Sequence, residues 1–104
     1  MWFKNISMVI ISKTILNDFG TTHADAAEAL DEWYKIVKNA HWNSFKDIKQ
    51  TFNSVDYAGN DRYIFDIKGN HYRIVAMIFF DICTVFIRFV GTHKEYDKIN
   101  CSKI

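Results

Sequence analysis

The stretch Arg62–Phe80, RYIFDIKGNHYRIVAMIFF, decides the fold. Its apolar residues follow a period of two, break at Gly69-Asn70 and resume, the signature of two strands joined by a tight hairpin loop. A two-residue loop at Gly69-Asn70 pairs positions summing to 139, so Asp66 faces Arg73 across the ladder. Upstream, Val55–Tyr57 and a turn around Gly59-Asn60-Asp61 add a strand; downstream, Thr84–Val90 adds another. The second half of the chain therefore predicts an antiparallel meander.

Working toward the N-terminus, the period changes to that of helices. Val9–Ile11 is a short apolar run followed by Ser12, then Ile15, Leu16, Phe19 and Gly20, which predicts a strand feeding a short helix with a Ser N-cap and a Gly stop. Thr22 and Asp25 have capping-box-like spacing, and Ala26, Leu30, Trp33, Val37 and Ala40 make one apolar stripe. Asp25, Glu28, Asp31 and Glu32 precede Lys35 and Lys38, an order that suits the helix macrodipole. Ser44 and Asp47 repeat the cap spacing ahead of a third helix with Phe45, Ile48 and Phe52. Helices first and strands later predict an α+β fold, with N-terminal helices on one face of a small antiparallel sheet.

With 104 residues, 49% hydrophobic and 24% charged, the chain predicts one globular domain spanning 1–104, with no linker or repeat. No apolar run approaches the ~20 residues of a membrane span. The N-terminal MWFKNISMVIIS is too weakly apolar for a secretory leader, and Cys83 and Cys101 lack metal-site or disulfide spacing. A soluble, cytoplasmic protein with free thiols is expected. The net charge of +1 supplies no bulk field for a polyanion. Residues 1–60 carry 6 basic and 7 acidic side chains against 7 and 5 in residues 61–104, so any nucleic-acid contact must be local.

Candidate chemistry collects near the C-terminus. Arg88 interrupts Val85, Phe86, Ile87, Phe89 and Val90, where a lone charge is costly unless it reaches water, a partner or a ligand. With an even-length loop at Phe80–Cys83, positions summing to 163 pair. Arg88 then lies opposite Val75, on the face of Arg73 and roughly 7 Å from it, while an odd loop or a bulge would send it to the other face. Thr92 and Glu95 have full capping-box spacing, so a short helix begins at His93 and brings His93 and Tyr96 to one face. A helix start attracts phosphate, and a neutral imidazole there can accept a proton. Two arginines, a histidine and a tyrosine are what metal-free RNA cleavage requires: help in deprotonating a 2′-OH, donors for the phosphorane, and an acid for the departing 5′ oxygen. A capping His, a packing Tyr and an Asp66–Arg73 ion pair would account for these residues as structure. Trp33, Trp42 and Tyr34 fit core anchors better than a base-stacking platform.

Several segments closely resemble the HigB toxins of type II toxin-antitoxin systems: Ile11-Ser12-Lys13, Asp25-Ala26 through Trp33-Tyr34, Asn39-Ala40-His41-Trp42, Phe65–Arg73, and Phe86–Ile99 with its Gly91-Thr92-His93-Lys94-Glu95-Tyr96-Asp97. The resemblance runs from about Met8 to the C-terminus. It implies a RelE-like fold and mRNA interferase activity, often on the translating ribosome. It also implies a HigA-type helix-turn-helix antitoxin that neutralises the toxin. Matched to the family's motifs, Arg73, Arg88, His93 and Tyr96 are the expected catalytic residues and Lys68 and Lys94 the expected phosphate contacts, with no metal or other cofactor. Thr22-His23-Ala24-Asp25 departs from relatives that place Pro after the His. A toxin-derived module that binds RNA or an antitoxin without cleaving is the alternative.

Overall fold

The computed structural model describes residues 7–104; the first six residues, part of the stretch read for a leader, lie outside it. The elements run β1 (Val9–Ile11), α1 (Lys13–Thr22), α2 (Ala24–Lys38), α3 (Phe45–Thr51), β2 (Val55–Gly59), β3 (Arg62–Ile67), β4 (Tyr72–Phe79), β5 (Thr84–Thr92) and α4 (His93–Tyr96). The sheet order is β1-β5-β4-β3-β2. β2 to β5 form the expected antiparallel meander, but β1 joins it parallel to β5, so the sheet is mixed. The fold is α+β.

Side-chain alternation gives the sheet two different faces. Phe65, Ile67, Ile74, Ile78, Val85 and Ile87 form one buried cluster with Leu16, Leu30, Trp33, Val37 and Ile48 of the three N-terminal helices. Each such side chain contributes about 1.5–3 kcal/mol through burial. Trp33 and Trp42 meet Phe65 edge-on and stacked, as core anchors. Asp66, Arg73 and Val75 alternate with these residues and project from the other face. After α4, the chain runs back to the β2–β3 turn, where Asn60 donates to the Ser102 carbonyl and Arg62 to the Ile104 carbonyl.

The helix boundaries depart from the sequence reading in instructive ways. Gly20 does not stop α1 but lies within it, where a Cβ would come 3.3 Å from Ala27 Cβ; the glycine permits close packing of α1 on α2. Ser12 adopts a left-handed conformation, φ 74°, and makes no side-chain cap bond. Thr22 and Asp25 form no capping box, because α2 begins one residue later with His23 at its N-cap and the Asp25 carboxylate accepts from the Tyr72 hydroxyl instead. Ser44 precedes α3 without a side-chain bond, while Asp47 accepts from the backbone N–H of Asn43 at 2.8 Å.

Candidate active site

Arg73 is the centre of the site. The predicted hairpin register holds, with Asp66 directly across from it, and the two side chains pair at 3.0 Å between Nε and Oδ1. Arg73 Nη1 donates to the carbonyls of Asn70 at 3.2 Å and Tyr72 at 3.4 Å. Its Nη2 lies 3.1 Å from His93 Nδ1, and its guanidinium carbon lies 5.6 Å from the Tyr96 ring centroid. Arg73 is itself 8% exposed, so these bonds form where competing water is scarce.

The helix that delivers His93 and Tyr96 is only one turn long and depends on its cap. Thr92 Oγ1 accepts from Glu95 N at 3.2 Å while Glu95 Oε1 accepts from Thr92 N at 2.7 Å, the complete box expected from spacing. The backbone N–H of His93 also donates to the His71 carbonyl at 3.2 Å, tying the start of α4 to the β3–β4 hairpin. Gly91 faces Arg73 across the ladder. A Cβ at Gly91 would lie 2.5 Å from Phe89 Cζ and 2.9 Å from Glu95 Oε1, so only glycine admits both neighbours.

A guanidinium carries donors alone, so His93 Nδ1 is the acceptor in its contact with Arg73. In the neutral ring the proton therefore sits on Nε2, which lies 3.5 Å from Asp97 Oδ2. Tyr96 is pushed up to about 12, first by burial and then by its contact with Cys101, whose Sγ lies 3.6 Å from the hydroxyl; Asp56 adds to the rise and Arg73 opposes it. Its phenol keeps the proton at neutral pH and serves as a donor.

Arg88 has a different setting from the one the even register gives. The loop at Phe80–Cys83 is even, and Phe79 pairs with Thr84 through Ala76 with Ile87 as expected. The ladder then slips: Val75 pairs with Phe89 rather than Arg88, leaving Arg88 as the extra residue of a β-bulge. This is the bulge case named in the sequence reading: a bulged residue escapes the strict alternation of the strand, so the pairing no longer places Arg88 beside Arg73, and its side chain is exposed. Among the described residues its side chain makes no hydrogen bond or ion pair.

Thus the structure brings Arg73, His93 and Tyr96 into contact and leaves Arg88 unengaged on the strand that leads to α4. Lys68 lies elsewhere, on the β3–β4 turn 3.5 Å from Asp25 of α2. Lys94 is exposed on α4. Sequence reasoning missed Cys101, which the returning C-terminal segment places against Tyr96; no periodicity marks that segment. Among the described residues no three His, Cys, Asp or Glu side chains are grouped to hold a metal ion, and no helix is long and apolar enough to cross a membrane.

A small α+β domain with a guanidinium–imidazole–phenol cluster beside a one-turn helix is the class that fold and site define. The HigB toxin family, the RelE-like toxic component of a toxin-antitoxin system, matches residues 26–99, and the chain belongs to that family. It is 30% identical over 92 residues to the "mRNA interferase toxin HigB" of Escherichia coli strain K12, covering 86% of this chain and 88% of that protein. It is 29% identical over 94 residues to the "mRNA interferase HigB" of Escherichia coli O6:H1 strain CFT073, covering 88% and 91%.

Proposed function

We propose that this toxin is an endoribonuclease that cuts mRNA by transphosphorylation, using Arg73, Arg88, His93 and Tyr96. In this step the 2′ oxygen attacks the adjacent phosphorus, the bond to the 5′ oxygen breaks, and the products are a 2′,3′-cyclic phosphate and a 5′-hydroxyl. The 2′-OH gives up one proton and the departing 5′ oxygen takes one. Arg88 has its donors free for a phosphate, and Arg73 keeps one Nη2 hydrogen beyond its bond to His93. As the scissile phosphate takes over Nη2, His93 Nδ1 is released to accept the 2′-OH proton. Tyr96, which holds its proton, donates to the phosphorane or to the departing oxygen. The Arg73–His93 contact at 3.1 Å, with Tyr96 against the same guanidinium, carries this reading. Lys94 and Lys68 extend phosphate contact along the message, Lys68 from farther away.

The fold supplies little electrostatic grip, at a net charge of +1, which favours a message presented by the ribosome over naked RNA. The site of action is then the cytoplasm, and the neutralising partner is an antitoxin of the HigA helix-turn-helix type. The test is induced expression with mapping of mRNA 5′ ends, alongside Arg88→Ala and His93→Ala chains. New codon-phased ends and arrested growth with the wild type, both absent from the two variants, are expected. Intact mRNA with retained antitoxin binding would instead identify a non-catalytic module, and naked RNA cut as fast as ribosome-bound message would remove the ribosome dependence.

A further inference from the structure

We infer that Asp66 is a positioning residue for the reaction: acting through Arg73, it holds His93 with the Nδ1 lone pair turned into the site and the ring proton on Nε2. The guanidinium is a rigid planar fork, so fixing one edge fixes the direction of the other. Asp66 Oδ1 holds Nε at 3.0 Å, and two backbone carbonyls hold Nη1. Nη2 then points at His93 Nδ1, which has no choice but to accept. Asp97 Oδ2 stands 3.5 Å from Nε2, beside the opposite edge of the ring. Asp66 makes no contact with His93, yet the chain carboxylate–guanidinium–imidazole–carboxylate leads from one to the other. A nitrogen whose tautomer is set by the bond at the opposite nitrogen is a known device for keeping a base ready. The bland alternative is that Asp66 and Arg73 only brace the β3–β4 hairpin.

The cleavage readout rests on the nuclease reading above; the ring readout does not. Purified toxin, with Asp66→Ala, His93→Ala and the double variant, is assayed on message bound to translating ribosomes. Long-range ¹H–¹⁵N correlation spectra report the tautomer of His93 at neutral pH. Asp66→Ala is expected to lower kcat about 10- to 100-fold, the range for groups that orient a functional ligand, with KM unchanged. In the His93→Ala background it should cost nothing further, because its route passes through the ring. Asp66→Glu should restore part of the loss, and a neutral His93 ring should carry its proton on Nε2 alone in the wild type but on either nitrogen in Asp66→Ala. Equal losses in both backgrounds, or a lower Tm with wild-type kcat and an unchanged ring, would overturn the inference. Should Asp66→Ala not fold, Asp66→Asn keeps the shape and removes the charge. A wild-type chain that leaves message uncut defeats the nuclease reading, and the spectra then decide the positioning of His93 on their own.

Discussion

Arg73 and Arg88 carry the same charge in opposite situations, and substitution should separate them. Arg73 is committed on three sides, and its side chain and that of Asp66 are 10% and 27% exposed, so Arg73→Ala strands a partly buried carboxylate. A loss of about 1–3 kcal/mol in urea unfolding, together with lost cleavage, is expected. Arg88 is exposed and its side chain is unpaired among the described residues, so Arg88→Ala should leave Tm within a degree or two while cutting the rate by about 10² to 10³, the loss for one transition-state donor. The Asp66–Arg73 contact was legible because a two-residue loop fixes register. The bulge at Arg88 was not, because nothing in an alternating apolar strand says where the ladder will slip. Tyr96 gives a second test at this scale. Its absorbance should titrate near 12, well after an exposed tyrosine, so the donor persists through the whole working range. Cys101→Ala should bring that midpoint down without restoring the ordinary value, since burial is the larger cause.

The one-turn helix α4 carries two of the proposed catalytic residues, and its position depends on a box built from four atoms. Gly91→Ala would drive a methyl into Phe89 and Glu95, breaking the bond from Thr92 N to Glu95 Oε1. The expected cost is about 1–3 kcal/mol of strain plus roughly 1 kcal/mol of lost cap, read by thermal melting, with cleavage falling more steeply than stability because His93 moves with α4. Three cap spacings stand in the sequence, and only Thr92 with Glu95 closes fully. Glu reaches back over a full turn, whereas Asp25 and Asp47 are shorter and have other partners, the Tyr72 hydroxyl and the Asn43 backbone. Stripe spacing made α2 legible for a separate reason: Ala26, Leu30, Trp33 and Val37 are all buried, so tertiary packing agrees with local pattern.

Across the described residues, the helices cover one face of the sheet and leave the Arg73 face to the proposed site. Tyr72, next to Arg73 on β4, belongs to the helix side, where its hydroxyl ties the sheet to Asp25 of α2 at 2.7 and 2.8 Å. That bond holds the Asp25 carboxyl below its ordinary range, with Lys68 a smaller cause, and the same bond raises Tyr72. The tether is therefore complete above the ordinary aspartate value and disappears as pH falls through the lower folded one. Tyr72→Phe should return the Asp25 titration, followed by carboxyl ¹³C shifts, toward the ordinary range and leave the Arg73–His93 contact intact. The parallel docking of β1 on β5 lay beyond the sequence reading, because a three-residue strand specifies its own extension but not its partner. The proposed reaction passes a 2′-OH proton and holds one phosphorane, and that chemistry would leave a signature on the RNA. The decisive measurement is the chemical identity of the ends on message cut by the wild-type chain. A 2′,3′-cyclic phosphate upstream and a 5′-hydroxyl downstream are expected; a 3′-hydroxyl with a 5′-phosphate would contradict the account.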